Sequence, residues 1–286
     1  MGRASCKVAD GQEGFEMGIL DWLQYDFMRY AFCAVLIITP LFGLMGTMIV
    51  SRNMAFFSDA LGHSALTGIA VGVLFGVGDT NCSMAVFAIV FALLLNQISS
   101  RVEASHDTVI SVFSSCSIAL GLAILSKGGN FSQYSSILVG DILSISLQEI
   151  LYLAIIFVIT LVFWVFGFNK LLAVSLNRTL AKSRRIPVSW MENLFAVLTA
   201  LIVMVSIQWV GILIINALLI LPAASARNIS GNMREYHFFS VLFSMFSGVL
   251  GLAISYYVNI ATGPTIVILA SVIYFATYFW GRKYHL

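Results

Sequence analysis

The chain has 286 residues, of which 60% are hydrophobic and only 10% charged, with a formal net charge of +2 and a mean hydropathy of +0.97. Soluble domains carry about 25% charged residues, so this composition excludes a water-soluble globule, and so small a net charge offers no basic surface for nucleic acid. The four cysteines, Cys6, Cys33, Cys82 and Cys116, lie far apart without a CxxC pair, which argues against a disulfide framework or a zinc-thiolate centre.

Residues 1–25 are mixed and polar, holding Arg3, Lys7, Asp10, Glu13, Glu16 and Asp21, and they predict a weakly ordered lead-in without a cleavable signal peptide. Downstream, residues 26–286 read as a single membrane domain. Apolar blocks approach the roughly 20 residues that a helix needs to cross the hydrocarbon core. They predict an all-α, polytopic membrane bundle of about nine spans: 29–50, 54–76, 83–100, 108–126, 147–167, 193–210, 211–226, 236–257 and 264–281. Only Val210 and Gly211 mark the turn inside the pair 193–226. The stretch 130–146 is too polar for a lipid-facing span and reads either as a loop or as a segment dipping back into the bundle under protein cover.

If the spans alternate from an outside N-terminus, one side receives Arg52, Arg101, Lys170, Arg178, Lys182, Arg184, Arg185, Arg227, Arg234, Arg282 and Lys283. The other receives little beyond Arg3, Lys7 and Lys127. Basic loops stay cytoplasmic, so the N-terminus is expected outside and the C-terminus in the cytoplasm. The largest inner loop, about 168–192, is polar and basic with helix-compatible spacing before Pro187. It reads either as a solvated connector or as a docking element for a cytosolic partner.

The second span carries the chemistry. Asp59 and His63 are four residues apart, one above the other on a helix face, and ionisable groups within a span normally face a polar cavity or a partner. A carboxylate and an imidazole so placed can ligate one divalent transition ion. They can also bond each other, and a proton relay would use the same residue types. Beside them Ser64, Gly68, Gly72 and Gly76 form a small-residue stripe that admits a neighbouring helix closely. Glu103, His106 and Asp107 cluster at the inner start of the fourth span, where a helix N-terminus favours acidic groups and where they could gate the inner mouth. Asp141 either lines the pathway or bonds a loop amide. No GxxxxGK[ST] phosphate loop occurs, so the chain has no visible means of hydrolysing ATP.

The run RNMAFFSDALGHSALTGIAVG, residues 52–72, resembles the signature of the permease family of bacterial zinc, manganese and iron ABC importers. Three further segments resemble that family in order: HDTVISVFSSCSIALG at 106–121, SILVGDIL at 136–143 and VGILIINALLILPAASAR at 210–227. The resemblance implies a type II ABC importer transmembrane domain, paired with a second permease copy, driven by a pair of cytosolic ATPase subunits and fed by an extracytoplasmic metal-binding lipoprotein. It places Asp59 and His63 in the metal pathway. It also makes the 168–192 loop the ATPase-coupling region, with Asn177, Ala181, Lys182, Arg184, Arg185 and Ile186 as its candidate contacts. No permanently bound cofactor is implied, the divalent metal being cargo. The sequence departs from the family where His106 and Ser111 replace a common Glu and Gly, where an Asp usual near Asn177 is missing, and where Arg185 stands in a place often held by Gly. The rival reading is a proton-coupled cation transporter independent of any ATPase.

Overall fold

The computed structural model describes residues 24–77, 80–99, 106–128 and 140–284. These form ten α-helices: α1 (Asp26–Ser51), α2 (Ala55–Leu74), α3 (Thr80–Ser99), α4 (His106–Gly128), α5 (Leu147–Leu176), α6 (Arg178–Ser183), α7 (Val188–Val210), α8 (Ile212–Ile229), α9 (Met233–Val258) and α10 (Thr262–Tyr284), with a 3-10 turn at Ile142–Ser144. Eight of them are long and apolar enough to cross a membrane, and α8 contributes a shorter apolar stretch, Ile214–Ile229.

The expected spans match these helices, with one informative difference. α5 does not stop at residue 167 but continues to Leu176. Leu171 and Val174, three residues apart on one face, are buried there, and that spacing extends the helix although Asn169 and Lys170 look like loop. The inner connection therefore shrinks to a short segment around α6. The break between α7 and α8 falls at Gly211, whose φ of 82° is a left-handed value that glycine adopts at little cost.

Burial divides the helices. About two thirds or more of the apolar windows of α1, α2 and α7 is inside the bundle, against under 40% for α3, α4, α5, α9 and α10. The three inner helices form the centre, and the others turn apolar faces outward, as lipid contact requires. Glycines and hydroxyls set the close approaches, since helices in lipid gain little from apolar burial alone. On α1, Ser240 of α9 donates to the Gly43 carbonyl at 2.7 Å, and a β-carbon on Gly46 would strike the Leu219 carbonyl of α8. On α2, Ser83 of α3 donates to the Gly68 carbonyl at 2.7 Å, and Gly72 meets the Ser83 side chain. The small-residue stripe thus packs on α3 through Gly68 and Gly72. Gly76 instead lies past the end of α2 with φ 66°, where a β-carbon would meet no neighbour. α8 packs against α1, α2, α9 and α10, which brings its first turns beside the polar face of α2.

Candidate functional site

Asp59 and His63 lie within α2, just past its first turn. Their facing atoms, Asp59 Oδ1 and His63 Nε2, are 3.6 Å apart, too long for a hydrogen bond. Asp59 Oδ1 instead accepts a 2.6 Å hydrogen bond from Asn216 Nδ2 of α8. The two groups therefore do not satisfy each other. Two ligand atoms on one zinc ion at about 2.1 Å are separated by roughly 3–3.4 Å, so the pair is spaced to share an ion after a small adjustment.

Exposure supports a chemical use of this face. The side chains of His63 and Asp59 are 35% and 46% exposed, while neighbours Ser58, Ala60, Leu61 and Ser64 on α2 are buried. A carboxylate open to hydrocarbon would cost several kcal/mol (about 2.5–3.5 on insertion scales). The open side must therefore face water, an ion or a second protein surface. Among the described residues no third His, Cys, Asp or Glu joins the pair to complete a metal-binding group.

Asn216 is the neighbour that sequence reasoning passed over. Its Oδ1 is buried without a hydrogen-bond partner, which leaves an acceptor that a water or an ion could take. The available signal was a lone carboxamide in the apolar run VGILIINALLILPAASAR, but nothing local relates it to Asp59.

Asp141 caps the 3-10 turn, accepting from the Leu143 amide at 3.1 Å, and it lines an open cavity of about 270 Å³ with Ile214 of α8 and Gly263 of α10. It is not joined to Asp59. A β-carbon on Gly140, just before it, would overlap the Gly211 amide, so this segment crosses the α7–α8 break at backbone contact. Residues 130–139 and Glu103 lie outside the described residues, as do the side chains of His106 and Asp107 at the start of α4.

The coupling candidates gather around α6. Asn177 caps that helix, its Oδ1 accepting from the amides of Thr179 and Leu180 at 2.9 and 3.0 Å. Ala181 is fully buried and packs with Val174, Val188 and Ile186, while Lys182, Arg184 and Arg185 are exposed. Arg185 has φ 57°, and the amides of Arg185 and Ile186 close back onto the carbonyls of Lys182 and Ala181, a Schellman helix end whose left-handed position glycine prefers. That is the physical sense of a Gly at this place in the resembling family.

Next to α6 lies a cluster whose sequence gives no warning of it. Glu192 Oε1 of α7 accepts from Arg178 Nε and Nη2 at 2.9 and 2.7 Å and from Arg52 Nη2 at 2.9 Å. Glu192 and Arg52 are 5% and 9% exposed, and the Arg52 guanidinium lies over the Phe195 ring. Burial lowers the Arg52 pKa from its ordinary value, Glu192 raises it, and the Arg178 charge lowers it further. Glu192 offsets the cost of burying that charge.

Comparison with known proteins agrees with this architecture. The chain is similar to the high-affinity zinc uptake system membrane protein ZnuB of Haemophilus influenzae, at 30% identity over 82% of this chain and 90% of that one. It is also similar to the manganese transport system membrane protein MntC of Listeria monocytogenes, at 26% identity over 91% of this chain and 93% of that one. Among solved structures, PsaBC from Streptococcus pneumoniae in complex with Fab superposes with a TM-score of 0.79 at 30% identity, covering 91% of this chain and 94% of that one. Residues 24–281 match a single family along their whole length, and the chain belongs to the ABC 3 transport family.

Proposed function

We propose that this chain is the membrane permease of an ATP-driven importer of a divalent transition metal, and that the ion passes Asp59, His63 and Asn216. The observation that carries the reading is a carboxylate and an imidazole held 3.6 Å apart on a half-exposed face of a membrane helix. An imidazole nitrogen beside a carboxylate oxygen suits zinc and also accepts manganese or iron. Zinc is our first choice of cargo, in line with the zinc-named relatives.

Two or three protein ligands underfill any such ion. Waters, or a second copy of the chain facing this one, would complete the shell. In this reading ATP hydrolysis belongs to a separate pair of cytosolic subunits docked at α6, and an extracytoplasmic lipoprotein delivers the metal. The basic loops then lie in the cytoplasm and the N-terminus outside.

Metal uptake by a deletion strain complemented with Asp59→Ala or His63→Ala tests the pathway. Uptake at limiting metal should fall to the level of the deletion while protein in the membrane stays normal. Normal uptake by both variants would refute the pathway. Uptake that survives loss of the ATPase and collapses with the proton gradient would refute the importer.

A further inference from the structure

We propose that Glu192 is a positioning residue for transport, the joint through which movement of α6 reaches the helix bearing Asp59 and His63, with Arg178 and Arg52 as its two arms. This rests on the reading of the chain as an ATPase-driven permease.

α6 is short and mostly exposed, and it packs on α5 and α7. Beyond the covalent chain, two attachments are seen among its described residues. One is the Ala181 plug in the small apolar cluster of Val174 and Val188. The other is Arg178, the first residue of α6, bound through two nitrogens to Glu192. The second continues beyond α5 and α7, because the same carboxylate oxygen also holds Arg52.

Arg52 sits at the junction of α1 and α2. It ends α1, and Asn53 (φ 54°) and Met54 turn the chain directly into α2. The amides of Asn53 and Met54 close onto the carbonyls of Val50 and Ile49, so this turn is a hydrogen-bonded Schellman end with little slack. Asp59 follows seven residues after Arg52. A displacement of Arg52 is therefore delivered to the start of α2 little more than one turn before Asp59.

Burial makes the joint stiff. An exposed ion pair can separate into water at small cost. Glu192 and Arg52 part less readily, since both side chains are nearly buried and separating them leaves each charge poorly hydrated. Arg178 differs, at 48% exposed. One end of the joint faces the cytosolic surface, and the other is locked inside the bundle. Three residues from three separate parts of the chain thus form one continuous connection from the coupling helix to the metal-bearing helix.

The experiment is to reconstitute the permease with its ATPase and binding protein in liposomes and to measure ATP turnover and zinc uptake in the same vesicles. Arg178→Gln should assemble normally and hydrolyse ATP within about twofold of the unaltered complex. Its uptake per ATP should fall about tenfold, within the range expected for a coupling interaction. Arg178→Lys, which restores the charge, should recover part of that ratio, and Glu192→Gln should lower it as Arg178→Gln does. If Glu192→Gln fails to accumulate, Arg178→Gln decides alone, because its side chain is half exposed. An unchanged ratio in Arg178→Gln would overturn the proposal. So would ATP turnover and uptake that fall together with the amount of complex, since a merely structural tie behaves that way. Failure of the unaltered permease to bind any ATPase would instead sink the importer reading itself.

Discussion

At the scale of single residues, the site is decided by how Asp59 distributes its contacts. Had Asp59 and His63 been bonded to each other, the pair would be a closed structural unit, yet 3.6 Å separates them and Asn216 takes the bond. Groups that orient a metal ligand are typically worth 10- to 100-fold in affinity. Asn216→Leu is therefore expected to raise the zinc concentration for half-maximal uptake by about 10-fold or more, read from uptake in vesicles across a metal series. Loss of one hydrogen bond costs only about 1 kcal/mol of stability, so the amount of folded protein should change little. The Asp59–His63 spacing was legible as an i, i+4 pair. Asn216 was not, because it is 157 residues away from Asp59 and only the crossing of α2 and α8 brings them together.

At the scale of elements, α6 shows what local chemistry can and cannot specify. Its Asn177 cap is local chemistry, since a carboxamide before a short helix satisfies orphan amides, whereas Ala181 is buried by packing against Val174 and Val188 of the flanking helices. Asn177→Ala should cost about 1 kcal/mol and appear as faster amide hydrogen exchange over residues 178–183. Arg185→Gly should act the other way. It relieves a left-handed residue with a β-carbon, a strain of about 1 kcal/mol, and should slow exchange at the same end of α6. The inner loop read as 168–192 lost its first part to α5 and its last to α7, because a helix continues wherever one apolar stripe stays buried, whatever the polar residues opposite. Close helix crossings are a further element-scale property. Gly46→Leu should push α1 from α8 and lower the melting temperature in detergent, with overpacking costing about 1–3 kcal/mol.

At the scale of the whole molecule, apolar blocks specify a stack of membrane helices, and we propose from the basic breaks a sidedness with the α6 segment in the cytoplasm. Introducing cysteine at Lys182 in a cysteine-free background tests that sidedness. An impermeant maleimide should label it in inside-out vesicles and not in intact cells; the reverse result would invert the topology. Composition, hydrophobic period and charge placement are summed over local stretches, so the sequence by itself determined the all-helical membrane character, nearly every span, the break at Gly211 and the polar face of α2. Tertiary structure alone decided which polar groups meet. The Asn216 bond to Asp59, the Gly140 crossing of the α7–α8 turn and the Glu192 joint all link distant stretches of chain. Periodicity states which face of a helix turns inward, but the partner on the other side of that contact is set by how the helices pack.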